Sequence, residues 1–596
     1  MASEASAWGS SSRTAGRHAL RRDAVTAGRG ARPAVAAPDS AWPDGATGAP
    51  GSTGDPGGPG DPGPLASRPG RTRRTYLPLT IVCAVQTALA LPLVWSNTAF
   101  TDEADYLWIG RLMIAHWLHG KSWPAGYAHR VLSGSPVIYP PLGAVADSLG
   151  GLAGARILSV AFMVGATILL YLTASSLLGR TEAIIATALW AATEPVYRLT
   201  FATYDPMSVF LVALSAWLAV EAGCRRRRGP LVASAAALAL ANATAYPSLV
   251  IDPVVIAFAF FALLPWIGAR RAGYWAAWFT AAWLALFSLL ITLSGTWAGI
   301  GFTVLNRKVN DYQLPLLVLG DIARYSGFII VTGLIGAAIA MRAEQHWLRG
   351  LLVVLGATSL LVPVAQLYFQ TAWALEKHLA FGIWFASMAA SYGCLMAGRW
   401  IARGVSARPS LVASAGVMAL SSVLAADWLL ASASLHEWPN ATSFVAAFRP
   451  AVARTNGLIF ASSQKRVAQY YAEQGTKWWL WQARGLLLNP ERVPRSDWRS
   501  YYATHVAAGR YDLIALFYAA PRSGPGLSAA TAPGSLGRAV YSELLSLKSL
   551  KPAEPGVPAL TRALGRDRSY RLVAVGPYDG SHADGIYAIW QHTPAA

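Results

Sequence analysis

Two adjacent carboxylates, Asp102 and Glu103, stand just beyond the first long apolar run, in FTDEADYLWIGRLM (100–113). A carboxylate in such a place can take a proton from a hydroxyl, provided burial lifts its pKa toward the working pH. Acids also suit the positive N-terminal end of a helix, where they cap free N–H groups. The residues alone leave both readings open. Further ionisable groups recur along the apolar chain: Glu194 with Arg198, Asp205, Asp252, and the run Glu376, Lys377, His378. Such groups are costly at membrane depth and usually have a task. Asp205 precedes a proline in TYDPMSVF (203–210), which is also an ordinary helix start. Lys377 and His378 also suit plain anchoring at a membrane interface. Carboxylates can hold a divalent metal, but no Cys/His cluster with ligand spacing is present, and nothing in the spacing requires a metal.

The elements that must position these groups are set by composition. The chain has 596 residues, of which 54% are hydrophobic and 13% charged. Soluble chains carry about 25% charged residues, so most of this one must face lipid. Its net charge of +19 lies in short Arg clusters between apolar runs. That distribution sets membrane topology; it is not the single basic face of a nucleic-acid binder, and nucleic acid is excluded as a partner. Cys83, Cys224 and Cys394 do not form a disulfide framework for an outer domain.

Residues 1–74 are rich in Ala, Gly, Pro, Ser and Arg, with glycine at every third position from Gly45 to Leu65. Such a segment cannot bury enough apolar surface to order itself, and it reads as a disordered cytoplasmic tail. Residues 75–435 contain about eleven apolar spans. They lie near 76–95, 154–178, 182–200, 206–222, 231–247, 250–268, 273–293, 325–341, 350–370, 375–397 and 410–431. Arg71, Arg73 and Arg74 put the front end inside. Alternate loops then carry Arg180, Arg225 to Arg228, Arg270 and Arg271, Arg342 and Arg349, and Arg399, Arg403 and Arg408. The intervening loops, placed outside, carry Asp102, Glu103, Asp105, Asp205 and Asp252. Acids and bases thus gather at one depth and can line one cavity. The first outer loop, 96–153, is expected to contain an amphipathic helix in the interface. Within it Pro140 and Pro141 are expected to fix a turn. A second long outer loop covers about 296–323. Residues 436–596 mix strand-like runs (457–462, 511–518, 570–575) with a helical stretch at 463–475, as in a small extracytoplasmic α/β domain.

The order of these pieces resembles the GT-C superfamily of membrane glycosyltransferases, in particular its PMT-like and ArnT-like members. The matching residues are the pair Asp102–Glu103 with Tyr106, then Pro140, Pro141 and Leu142 in YPPLGAV, then Arg156 in GARILSV, then Asp205. Relatives often have Lys before the paired prolines, where this chain has Tyr139. The resemblance implies a polytopic α-helical membrane protein with a C-terminal α/β domain. It implies transfer of a sugar from a polyprenyl-phosphate donor to an acceptor hydroxyl on an envelope glycan, lipid or protein. It implies Asp102 and Glu103 as catalytic groups. Asp105, Tyr106, Tyr139, Arg156, Arg198, Asp205, Lys377 and His378 are the implied substrate contacts. Two other readings fit an apolar chain of this kind: a multi-pass transporter, and an inactive relative that binds envelope glycan. Polar groups at the span ends, not at the bilayer middle, argue against the transporter.

Overall fold

The computed structural model describes residues 76–305, 313–372, 374–404, 409–433, 435, 438–462, 465–472, 478–481, 497–519, 551–552, 557–578 and 585–593. The expected disordered tail, the Gly-repeat within it, and Arg408 lie outside the described residues.

The membrane part runs through α1 (Leu77–Val94), α2 (Thr101–His119), α3 (Ala125–Val131), α4 (Tyr139–Leu177), α5 (Arg180–Ala191), α6 (Glu194–Arg198), α7 (Asp205–Arg225) and α8 (Gly229–Thr244). It continues through a short 3-10 turn (Tyr246–Ile251), α9 (Asp252–Ile267), α10 (Ala269–Ser294), α11 (Trp297–Ile300), α12 (Pro315–Ala340), α13 (His346–Thr358), α14 (Leu361–Phe369), α15 (Leu375–Gly404) and α16 (Pro409–Ala433). Among the described residues, eight helical stretches are long and apolar enough to cross a membrane, and the chain is a multi-pass membrane protein. The expected count was about eleven. The expected span at 182–200 is instead two short helices, because the chain turns at Ala192–Thr193 and Pro195 restarts it. The expected span at 231–247 is a shorter apolar helix of 16 residues.

Two other expectations change. Pro140 and Pro141 open α4 instead of interrupting a loop, because first-turn N–H groups have no helical partner to lose. The break comes later, at Gly150 and Gly151, where Gly151 adopts φ +63°. The helix α2 does not lie in the interface with one face wet. Glu103 to Gly110, Leu112 and Met113 are buried, and the helix emerges only toward Trp117 and Leu118. Its covering is α4 together with the C-terminal region, whose folding back onto the loop no local pattern encodes.

α15 is the most enclosed span, with 78% of its apolar window buried, against 28% for α1, α10 and α12. It is therefore the axis of the bundle, and α1, α10 and α12 turn most of their surface to lipid. At the α12–α15 crossing Gly336 and Gly393 meet backbone to backbone, so a side chain at either would collide with the other helix. Small residues allow this close approach where lipid supplies no hydrophobic drive for helix association.

The C-terminal region adds α17 (Thr442–Arg454), β1 (Leu458–Ala461), α18 (Lys465–Ala472), α19 (Trp498–Ala507), β2 (Tyr511–Ala519), β3 (Lys551–Pro552), α20 (Val557–Arg566), β4 (Tyr570–Tyr578) and β5 (Gly585–His592). The strand order is β1-β2-β5-β4, with β3 also on β2. β1 and β2 are parallel, and the remaining pairs are antiparallel. The run LIALFY in β2 is buried throughout, because both sheet faces are covered. Leu513, Ala515 and Phe517 pack toward α17 and α18, in a core that continues into α2. Ile514, Leu516 and Tyr518 pack toward α19 and α20. Polar contacts fasten the same joint. Asn97 donates to the Trp438 carbonyl (2.7 Å), Trp438 Nε1 to the Thr98 carbonyl (2.7 Å), and Tyr470 Oη to Asp147 (2.7 Å).

Candidate active site

Asp102 and Glu103 occupy the first turn of α2, and successive helical residues point about 100° apart. They consequently enter different surroundings. Glu103 is fully buried. It accepts from Arg156 Nε (2.8 Å) and Nη2 (2.7 Å), from the Ala202 N–H (2.8 Å) and from the Phe100 N–H (3.3 Å). Arg156 is equally buried, and its remaining donor capacity goes to the carbonyls of Leu93, Val94, Asn97 and Thr98. The pair ties α1, α2, α4 and the stretch before α7 together. The helix-capping reading of the acidic pair thus describes Glu103, and Arg156 is turned toward it and away from the other cations.

Asp102 keeps 27% of its side chain exposed and faces α15. Lys377 Nζ lies 3.3 Å from Asp102 Oδ2 and 3.4 Å from Asp205 Oδ2. His378 Nε2 lies 3.9 Å from Asp205 Oδ1. Arg198 comes from α6 to within 3.5 Å of Glu376, one residue from Lys377. Three regions far apart in sequence thus converge: the start of α2, the stretch from α6 to the start of α7, and the start of α15. Asp205 is 1% exposed, and neither of its oxygens has a hydrogen-bond donor among the described residues. It is held by charge alone, through the ammonium that it shares with Asp102.

Tyrosines form the wall beside this cluster. Tyr106 stacks on Tyr204 (ring centroids 4.3 Å apart) and donates its hydroxyl to Tyr204 Oη (2.8 Å). Tyr204 Oη also accepts from the Ser133 N–H (2.9 Å). Burial, followed by the charge of Asp102, pushes the Tyr106 hydroxyl well above its ordinary pKa. Burial, followed by the charge of Asp205, raises that of Tyr204. Both hydroxyls therefore stay protonated. Tyr139 is buried edge-on to Tyr204 (6.4 Å). Asp105 turns the other way, accepting from Tyr127 Oη (2.7 Å) with Arg466 Nη1 at 3.6 Å. Sequence reading missed Tyr204, although it directly precedes Asp205, and missed Asp147, which binds Arg111 through two nitrogens (2.5 and 3.0 Å).

The cluster does not fit a metal. No three His, Cys, Asp or Glu side chains converge on a common point among the described residues. The Lys377 ammonium already stands between the two carboxylates that would supply ligands.

No family model and no curated protein matches the chain in sequence. In fold it is similar to two solved proteins. The oligosaccharyltransferase AglB from Archaeoglobus fulgidus, solved with an inhibitory peptide and a dolichol-phosphate, aligns with a TM-score of 0.53 at 13% identity, over 85% of this chain and 80% of its own. ArnT from Cupriavidus metallidurans, solved with undecaprenyl phosphate, aligns with a TM-score of 0.52 at 15% identity, over 86% of this chain and 98% of its own. At these identities the likeness defines the fold.

Proposed function

We propose that the chain is a membrane glycosyltransferase that moves a hexosyl or pentosyl group from a polyprenyl-phosphate donor to an acceptor hydroxyl in the cell envelope. The observation that carries this reading is that one half-open carboxylate, Asp102, shares Lys377 with Asp205, with His378 beside Asp205 and Arg198 paired to the neighbouring Glu376, at one end of a GT-C bundle. The basic loops carrying Arg225 to Arg228 and Arg270 face the cytoplasm. The carboxylate end and the sheet domain face outward, at the plasma membrane.

In this mechanism the donor enters from the lipid with its phosphate against Lys377, His378 and Arg198. Asp102 takes the proton of the acceptor hydroxyl. The oxygen bonds to the anomeric carbon as the carbon–phosphate oxygen bond breaks, and the electron pair leaves on the phosphate with inversion at the sugar. The cations stabilise the charge that develops there. Asp205 is a positioning residue that holds Lys377 between the two carboxylates. Tyr106 and Tyr139 shape the wall for the sugar. Glu103 and Arg156 hold the loop, and Asp105 orients the outer joint. A glycan, lipid or protein supplies the acceptor hydroxyl.

The test is reconstitution of the full chain in liposomes with labelled polyprenyl-phosphate hexoses and pentoses and an envelope extract as acceptor. Transfer of label, with a linkage inverted relative to the donor, is expected. Absence of transfer from every donor, together with an unchanged envelope glycan composition in cells lacking the protein, contradicts the reading.

A further inference from the structure

α19 and α20 lie side by side on the sheet face opposite to the one joined to α2. Tyr502 and Val506 of α19, and Leu560 and Leu564 of α20, are the residues that meet the sheet. Their outward sides form a groove of 320 Å³ between the two helices. This is the lower end of the range of small-molecule sites, about 300 to 1,000 Å³. The floor is methyl groups, including Ala503 and Ala563, and the walls are Arg499, Arg562, Arg566 and Arg568. Arg562 and Arg566 are one turn apart on α20 and face Arg499 across the floor. All four arginines are exposed. The acidic residue in the groove lining, Asp567, accepts from the Ser569 N–H (2.9 Å) and hydroxyl (2.6 Å) through Oδ1. Four arginines against one carboxylate leave a positive excess around a shallow apolar floor, which favours an anion between them. Arginine suits carboxylate and phosphate because its planar fork binds both oxygens.

We propose that this groove binds an acidic polysaccharide of the cell envelope through its carboxylate or phosphate groups. Placement on the sheet face turned away from the bundle selects a polymer over a lipid headgroup. The apolar floor takes the sugar ring and the walls take its acid groups. The site stands apart from the Asp102 cluster and does not depend on sugar transfer for its binding. It holds the enzyme against the matrix on which it works.

The experiment uses the full chain in nanodiscs of neutral phosphatidylcholine, with fluorescent polygalacturonate as the probe. Binding at low salt that weakens at high salt is expected. The set Arg499→Gln, Arg562→Gln, Arg566→Gln and Arg568→Gln should lose about ten-fold in affinity, which is about 1.4 kcal/mol over the four exposed groups together. The corresponding four Lys substitutions should retain most of it, which separates lost charge from lost folding. Changing Arg225 to Arg228 to Gln should leave it unchanged. Asp102→Asn should bind as the natural chain does, so failure of the transfer mechanism and failure of this site are read separately. Equal binding by the four-Gln set, equal loss in the Arg225–Arg228 set, or stronger groove-dependent binding to phosphatidylglycerol vesicles than to the polymer overturns the proposal.

Discussion

About 100° of helix rotation separates Asp102 from Glu103 and gives them different work. Glu103 enters a dry network in which both oxygens are satisfied by Arg156 and two backbone N–H groups. Removing one partner of a buried pair leaves the other charge uncompensated and costs about 3–5 kcal/mol. Glu103→Gln should therefore lower the thermal midpoint of the purified chain. A joint Glu103→Met, Arg156→Met replacement should recover little of the loss, since it leaves the carbonyls of Leu93, Val94, Asn97 and Thr98 and the N–H groups of Phe100 and Ala202 without these partners. A Glu103→Gln variant with unchanged stability and abolished turnover would return Glu103 to the chemistry. The sequence showed the acidic pair, and it showed Arg156. It did not show that they bind each other 53 residues apart, because a buried ion pair leaves no local periodicity.

At the level of elements, α2 carries the candidate base, and its position is fixed by how closely it approaches α4. Gly110 is the contact point. A side chain there would run into the Pro140 carbonyl and Ala144. Gly110→Val should push α2 off α4, displace Asp102 from Lys377, and cut transfer by an order of magnitude or more, since a shift of about 1 Å can cost about 100-fold. The check is transfer activity alongside insertion level. Activity equal to the natural chain would mean that the α2–α4 spacing is not critical. Most spans were legible as apolar runs with arginines at their ends. The start of α4 at paired prolines was not, since the same prolines end helices as readily as they begin them. Burial of α2 was not legible either. Its cover, Tyr470 and Tyr471 of α18, lies more than 350 residues away in sequence.

On the scale of the whole molecule, one end gathers Asp102, Asp205, Lys377 and the sheet domain, and the other gathers the arginine loops. Arg228 lies near the rings of Tyr274 and Trp275, so two of those loops share one end. In a chain freed of Cys83, Cys224 and Cys394, Trp117→Cys should react with an impermeant maleimide on intact cells. Arg226→Cys should react only after permeabilisation. The opposite pattern would reverse the orientation and remove the envelope as the site of reaction. The alternation of charged loops is the sequence signal from which this arrangement is expected. The pairing of Lys377 with both Asp102 and Asp205, and of Arg198 with Glu376, became visible only when the helices were packed.

In the proposed mechanism the reaction rests on the Asp102 carboxylate. Asp102→Asn keeps the shape of the side chain and removes the base, and general-base catalysis typically contributes about 10²- to 10⁴-fold. In liposomes holding equal amounts of inserted protein, transfer of labelled sugar from its polyprenyl-phosphate donor should fall by that range while donor binding remains. Transfer at the rate of the natural chain would contradict the assignment of Asp102, and with it the mechanism.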